Sequence, residues 1–188
     1  EGLTSVNEGK LEINGVTAIE NAFASGKKIK LNGGYLKTSG GSTADYEDYY
    51  ADIEVAAGKT SSFEPYRNCY IKSKVSGSGT LNFVLTYVRE YLQGDWSQFS
   101  GTVNANAAGV TTDGNQFLLN NTEGIPNARV VLTSGTKVVC WKNGSTMYLG
   151  GLSGPSGSYL SGSDKTNNSA TMTWVVGGAG TDEIFSGV

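Results

Sequence analysis

The chain has 188 residues, a length that suits one domain, and carries 27 Gly, 3 Pro and a formal charge of −3. So mild a balance, with 14 Lys+Arg spread along the chain, offers a phosphate backbone no basic face, and no apolar run approaches the ~20 residues that cross a bilayer. Histidine is absent, which removes Ser-His-Asp and Cys-His triads and His-based metal sites.

In chain order, the apolar residues come in short strand-like bursts. The first covers residues 10–13. A weak helical pattern follows at 16–24, where Ile19, Ala22 and Phe23 fall roughly on one face; its length suits a turn of helix or a loop. Strand-like runs then recur at 28–31, 52–55, 70–75, 80–86, 101–105, 116–119, 128–132, 137–141, 146–149 and 171–176. Gly, Ser, Asn and Thr clusters separate them, as turns require.

A unit of strand, small-residue turn ending in Gly, then strand recurs along the chain. Its copies centre on Gly9, Gly34, Gly58 and Gly135, at gaps of 25, 24 and 77, the last close to three periods. A second unit, apolar-Ser-Gly, occurs at Val75-Ser76-Gly77 and again 24 residues later at Phe99-Ser100-Gly101. Further copies lie at Leu152-Ser153-Gly154, Leu160-Ser161-Gly162 and Phe185-Ser186-Gly187. Such a period with several short strands per repeat predicts a solenoid. The expected fold is all-β, a right-handed parallel β-helix of about seven coils forming a single domain over 1–188. An antiparallel sandwich or jelly roll would also give many short strands, but not the regular return.

The period bears on the cysteines. Cys69 and Cys140 are expected on different strands roughly three coils apart, ~14 Å at one strand spacing per coil. That exceeds the Cα separation of a disulfide, so two buried, unlinked thiols are predicted. Phe63 shares the turn-glycine offset of Cys140 and is expected to point inward.

Two segments carry a resemblance. One is Tyr87-Val88-Arg89, then Leu92, Gly94-Asp95-Trp96-Ser97, Phe99 and Gly101; the other is Phe117-Leu118-Leu119-Asn120-Asn121, then Gly124-Ile125-Pro126 and the turn at 132–135. With Leu152-Ser153-Gly154 and Trp174-Val175-Val176-Gly177-Gly178, they resemble the autotransporter-associated type of β-strand repeat in secreted proteins of gut and rumen bacteria. The resemblance covers residue 75 to the end. It implies a right-handed β-helix that is secreted or on the cell surface, often joined to enzymes that attack plant polysaccharides. Some members of this kind are similar to β-helical xylan-binding carbohydrate-binding modules, of the family 89 type, carried by bacterial xylanases. The opening Glu1-Gly2-Leu3 shows no signal-peptide pattern and reads as a cut inside a longer protein.

Four clusters are candidates for binding. Asp45-Tyr46-Glu47-Asp48-Tyr49-Tyr50 sits in an insertion after Ser39-Gly40-Gly41-Ser42; it either lays rings and carboxylates against a ligand or covers a flank of the helix. Tyr66-Arg67-Asn68 with Tyr70 forms a second cluster, read as a binding turn or an ordinary one. In the third, Tyr87, Arg89 and Trp96 belong to the repeat motif, Trp96 reading as structural, while Glu90 and Tyr91 are freer. The fourth is Trp141 with Tyr148: if Cys140 points in, Trp141 points out, where an uncovered ring is used or covered. The residues expected to meet ligand are Tyr46, Tyr49, Tyr50, Tyr66, Arg67, Tyr70, Glu90, Tyr91, Trp141 and Tyr148. Asp45, Glu47 and Asp48 could offer oxygen ligands to calcium, but the spacing is not that of an EF-hand loop, and no cofactor is expected.

The function expected is a non-catalytic, monomeric carbohydrate-binding module for a plant cell-wall polysaccharide, xylan or a related β-linked glycan first, that targets an attached glycoside hydrolase. No nucleic acid or membrane partner is expected. A structural or adhesive β-helix stalk is the alternative. A pectin-active β-helix enzyme fragment comes third, since no paired-Asp motif of the polygalacturonase kind is present.

Overall fold

The computed structural model describes residues 2–41, 46–67, 69–86, 89–107, 116–162 and 171–188. The chain opens with β1 (Leu3–Asn7), β2 (Lys10–Asn14) and α1 (Val16–Ala22), then winds through β3 (Lys28–Asn32), β4 (Tyr35–Ser39) and β5 (Glu47–Tyr49). The next coils are β6 (Asp52–Val55), β7 (Thr60–Glu64), β8 (Cys69–Ile71) and β9 (Val75–Gly77), β10 (Thr80–Val84), β11 (Arg89–Leu92). Then come β12 (Gln98–Phe99), β13 (Thr102–Asn106), β14 (Gln116–Leu119), β15 (Gly124–Leu132) and β16 (Lys137–Val139), and finally β17 (Thr146–Ser153), β18 (Tyr159–Ser161) and β19 (Thr173–Val176).

Every paired ladder between these strands is parallel. They form a first sheet β1-β3-β6-β9-β12, a second β19-β17-β15-β13-β10-β7-β4-β2 and a third β18-β16-β14-β11-β8-β5. Each coil visits the sheets in turn, so the fold is a parallel β-helix. Six strands in the third sheet make about six turns, one fewer than expected. In the upper coils β15 and β17 run past the first-sheet position as long strands, and their pairing shifts register between Ile125 and Arg129.

Strand alternation sends every second side chain into the core. In the second sheet Ser61, Leu81, Val103, Val130 and Leu152 stack as one inward column, and Leu36, Phe63, Phe83, Ala105 and Leu132 as another. Phe63 and Phe83 meet at 5.6 Å between ring centres, and Phe83 and Phe117 at 5.2 Å. Each such fully buried ring contributes roughly 1.5–3 kcal/mol by leaving water. Phe63 does point inward, but on a different sheet from Cys140. The two cysteines are buried and unlinked, and lie three third-sheet strands apart, as the coil argument predicts.

The return is less even than the glycine spacing suggests. Thr60 faces Thr80, a coil of 20 residues, whereas Tyr35 faces Ser62, a coil of 27. Phe99 faces Gly77 rather than Val75, so the two apolar-Ser-Gly units are out of register by two residues. Gly58 takes φ 68° at the corner from the first sheet to the second, a conformation glycine adopts without a Cβ clash. The turn at Gly135 belongs to the other corner, between β15 and β16, and is not a fourth copy of that one. The weak helical segment is a real helix. It stands where the first coil would place a third-sheet strand, with Ile19 and Phe23 fully buried. The Phe23 carbonyl accepts the N–H groups of Tyr50 at 2.8 Å and Ala51 at 2.9 Å, so this end of the third sheet is covered rather than left as an open edge.

Candidate ligand-binding face

The third sheet carries the candidate face. Its register puts Asp48, Tyr70, Tyr91, Leu118, Val139 and Ser161 in one outward column. Coil by coil, rings thereby arrive on one face. Tyr46, just before β5, stacks on Tyr70 at 4.8 Å between centres and meets the edge of Tyr91 at 5.5 Å. Tyr70 and Tyr91 are 4.9 Å apart, and Trp141 stands edge-on to Tyr91 at 5.8 Å. Leu118 and Val139 fill in beneath, with Tyr91, Tyr70 and Trp141 packed on them.

A polar group borders the rings. Tyr50 donates its hydroxyl to Asp48 Oδ2 at 2.8 Å, and Lys72 Nζ donates to the same oxygen at 2.8 Å and to the Tyr50 hydroxyl at 3.2 Å. The ammonium lies over the rings of Tyr50, at 5.0 Å, and Tyr70, at 5.5 Å. These contacts, the Asp48 hydrogen bond first, hold the Lys72 pKa above the ordinary lysine value. Half-exposed cations over ring faces contribute only about 0.5–1 kcal/mol each, but they fix the rims of the rings. The patch is therefore a partly wet surface of tyrosine edges and faces, with a carboxylate, an ammonium and hydroxyls at one side.

The ten residues expected to bind divide sharply. Tyr46, Tyr50, Tyr70, Tyr91 and Trp141 gather on this face. Tyr66 and Arg67 sit on the corner leading into β8; the Arg67 guanidinium lies 5.6 Å from the centre of the Tyr66 ring. Arg67 takes φ 52°, uncommon for a residue with a Cβ, and the Tyr66 N–H is held by Thr38 Oγ1 at 2.8 Å. Tyr148 projects, 41% exposed, from β17 in the second sheet, on another face of the helix.

Tyr49 and Glu90 are corrections. Alternation turns Tyr49 into the core, where it is fully buried, its ring 4.4 Å from Phe23 and its hydroxyl 2.7 Å from Thr38 Oγ1. Glu90 is the residue before Tyr91 on β11, so it too points inward, with no exposed surface. Neither of its carboxyl oxygens meets a well-aligned donor. Burial pushes its pKa well above the usual carboxylate range, and the Thr86 backbone offsets only part of that. Trp96 is buried, as its motif position implied. Asp45, Asn68 and Tyr87 lie outside the described residues, as does the side chain of Arg89. Among the described residues no group of three His, Cys, Asp or Glu gathers to hold a metal.

Lys72 was not singled out in the sequence. The signal was present: Tyr70 and Lys72 are two apart in one strand-like run and so share a face. A concavity of about 300 Å³ lies elsewhere, on the first sheet, lined by Lys28, Asp52, Glu54, Lys74 and Gln98 among others. It has no ring in its lining, and so no surface on which an apolar sugar face could stack.

Comparison with protein-family models, with curated proteins and with solved structures returns no match to the chain.

Proposed function

We propose that the chain is a non-catalytic carbohydrate-binding module that holds a plant cell-wall polysaccharide, xylan first, and directs an attached glycoside hydrolase to it outside the cell. One observation carries the reading: rings from separate coils, Tyr46, Tyr70 and Tyr91, with Tyr50 and Trp141 beside them, collect on one face. Pyranose rings have apolar C–H faces that stack on tyrosine, and hydroxyls that suit the Asp48–Lys72–Tyr50 group. Tyrosine fits such half-wet positions because one end is apolar and the other hydrogen-bonds. The resemblance of the repeat motifs to xylanase-borne modules supports the choice of xylan. A shallow wet site gains little per sugar, so affinity is modest.

The test is native affinity electrophoresis in gels with xylan, cellulose or pectin. Retardation by xylan is expected, and its loss in Tyr46→Ala. Free migration in all three gels would sink the reading.

The second reading, a structural or adhesive stalk, has one observation in its favour. Tyr91 is only 8% exposed and Leu118 is fully covered, so part of the cluster is committed to packing. On that reading Tyr46→Ala changes stability without changing migration in any gel.

A further inference from the structure

One inward column of the third sheet is polar where the outward one is aromatic. It runs Glu47, Cys69, Glu90, Phe117, Val138 and Leu160. Cys69 and Phe117 flank Glu90 on the neighbouring strands, and Glu47, itself 4% exposed, lies beyond the Cys69 thiol. Among the described residues these, with the Thr86 backbone, face the carboxyl, and no cation is among them. A carboxyl with no well-aligned donor in so apolar a place is tolerated only without charge. On the other side of the same strand, one residue on, is Tyr91, the ring that touches Tyr46, Tyr70 and Trp141.

We propose that Glu90 is a proton-dependent latch for the aromatic face, a regulation that rests on reading that face as the binding site. With its proton, the carboxyl stays in the core and β11 stays between β8 and β14. When the proton leaves to solvent, the carboxylate has no partner inside, β11 shifts to bring it to water, and Tyr91 leaves the ring cluster with the strand. Burial raises the folded-state pKa of Glu90, so the folded chain keeps a proton that the unfolded chain has lost. Stability from this group is therefore full below the ordinary glutamate value of about 4.3. It declines as pH rises from there towards the raised folded value. The raised pKa of Cys69, also caused first by burial, keeps that thiol protonated through the same range.

The test compares the full chain with Glu90→Gln and Glu90→Leu, measuring urea unfolding and near-ultraviolet circular dichroism of the rings from pH 4 to 9. Wild type is expected to lose about tenfold in its folding constant per pH unit relative to both variants, one proton's worth. Its ring signal should fall with pH while that of the variants stays level. Parallel stability profiles would overturn the proposal. So would a stability difference with no change in ring signal. Xylan retardation, run at pH 5 and pH 9, separates the two readings. If nothing is retarded at either pH the glycan reading fails, while unfolding and ring signals still decide the latch.

Discussion

The second and third sheets are wound from the same coils, yet they are patterned differently. The second is conventional: inside are Leu81, Val103 and Val130, outside a polar ladder in which Asn104 donates to Asn82 at 2.8 Å and Asn82 to Ser62 at 3.4 Å. In the third, one inward column is the apolar Tyr49, Ile71, Leu92 and Leu119, but the other holds Glu47, Cys69 and Glu90, and the outward one sets Tyr70, Tyr91 and Leu118 beside Asp48. Burial drives folding wherever it can be had, so the conventional sheet needs only its own residues to be explained. The mixed one carries a cost, a buried carboxyl with no well-aligned donor, on the strand that also carries Tyr91 of the outer ring cluster.

That comparison can be broken at several points. The largest effect belongs to the shared core: Phe83→Ala removes a fully buried ring that touches Phe63 and Phe117, and urea denaturation should show a loss of about 3–5 kcal/mol. Leu118→Ala comes next. Although Leu118 faces outward, it is fully buried, so about 2–4 kcal/mol should be lost, as for a core leucine; a loss of a few tenths would mean the outer cluster is not a packed layer. Glu90→Leu should act in the opposite sense and raise stability relative to wild type, by an amount that grows with pH, because only wild type has a buried carboxyl whose proton is lost on unfolding. Asn104→Ala, on the conventional sheet, removes one partly exposed hydrogen bond and should cost about 0.5–1.5 kcal/mol in the same assay.

Much of the fold could be read in the residues. The β-helix, the short helix, the inward Phe63 and the separated cysteines all follow from a return of strands with glycine at the corners. Register could not be read. Coils vary between 20 and 27 residues, so matching Gly135 to Gly9, or Phe99 to Val75, put equivalent motifs at unlike places. The candidate face was legible only in part. Composition singled out tyrosines, but Tyr49 and Tyr50 are neighbours with opposite fates, and alternation within a three-residue strand decides which is buried. Glu90 was misplaced for a related reason: a glutamate is expected in water, and only its pairing with Phe117 on the next strand shows that it points inward. Lys72 shares the face of Tyr70 by simple alternation, but its bond to Asp48 spans 24 residues, a relation that no local motif expresses.

The most direct measurement is titration of the chain with xylohexaose, following the tyrosine ring resonances by NMR. Tyr148 serves as an internal control, being exposed on the second sheet away from the cluster. The account predicts that the resonances of Tyr46, Tyr50 and Tyr70 move together and saturate while Tyr148 stays still. Movement of Tyr148 alone, or of no ring at all, would contradict it.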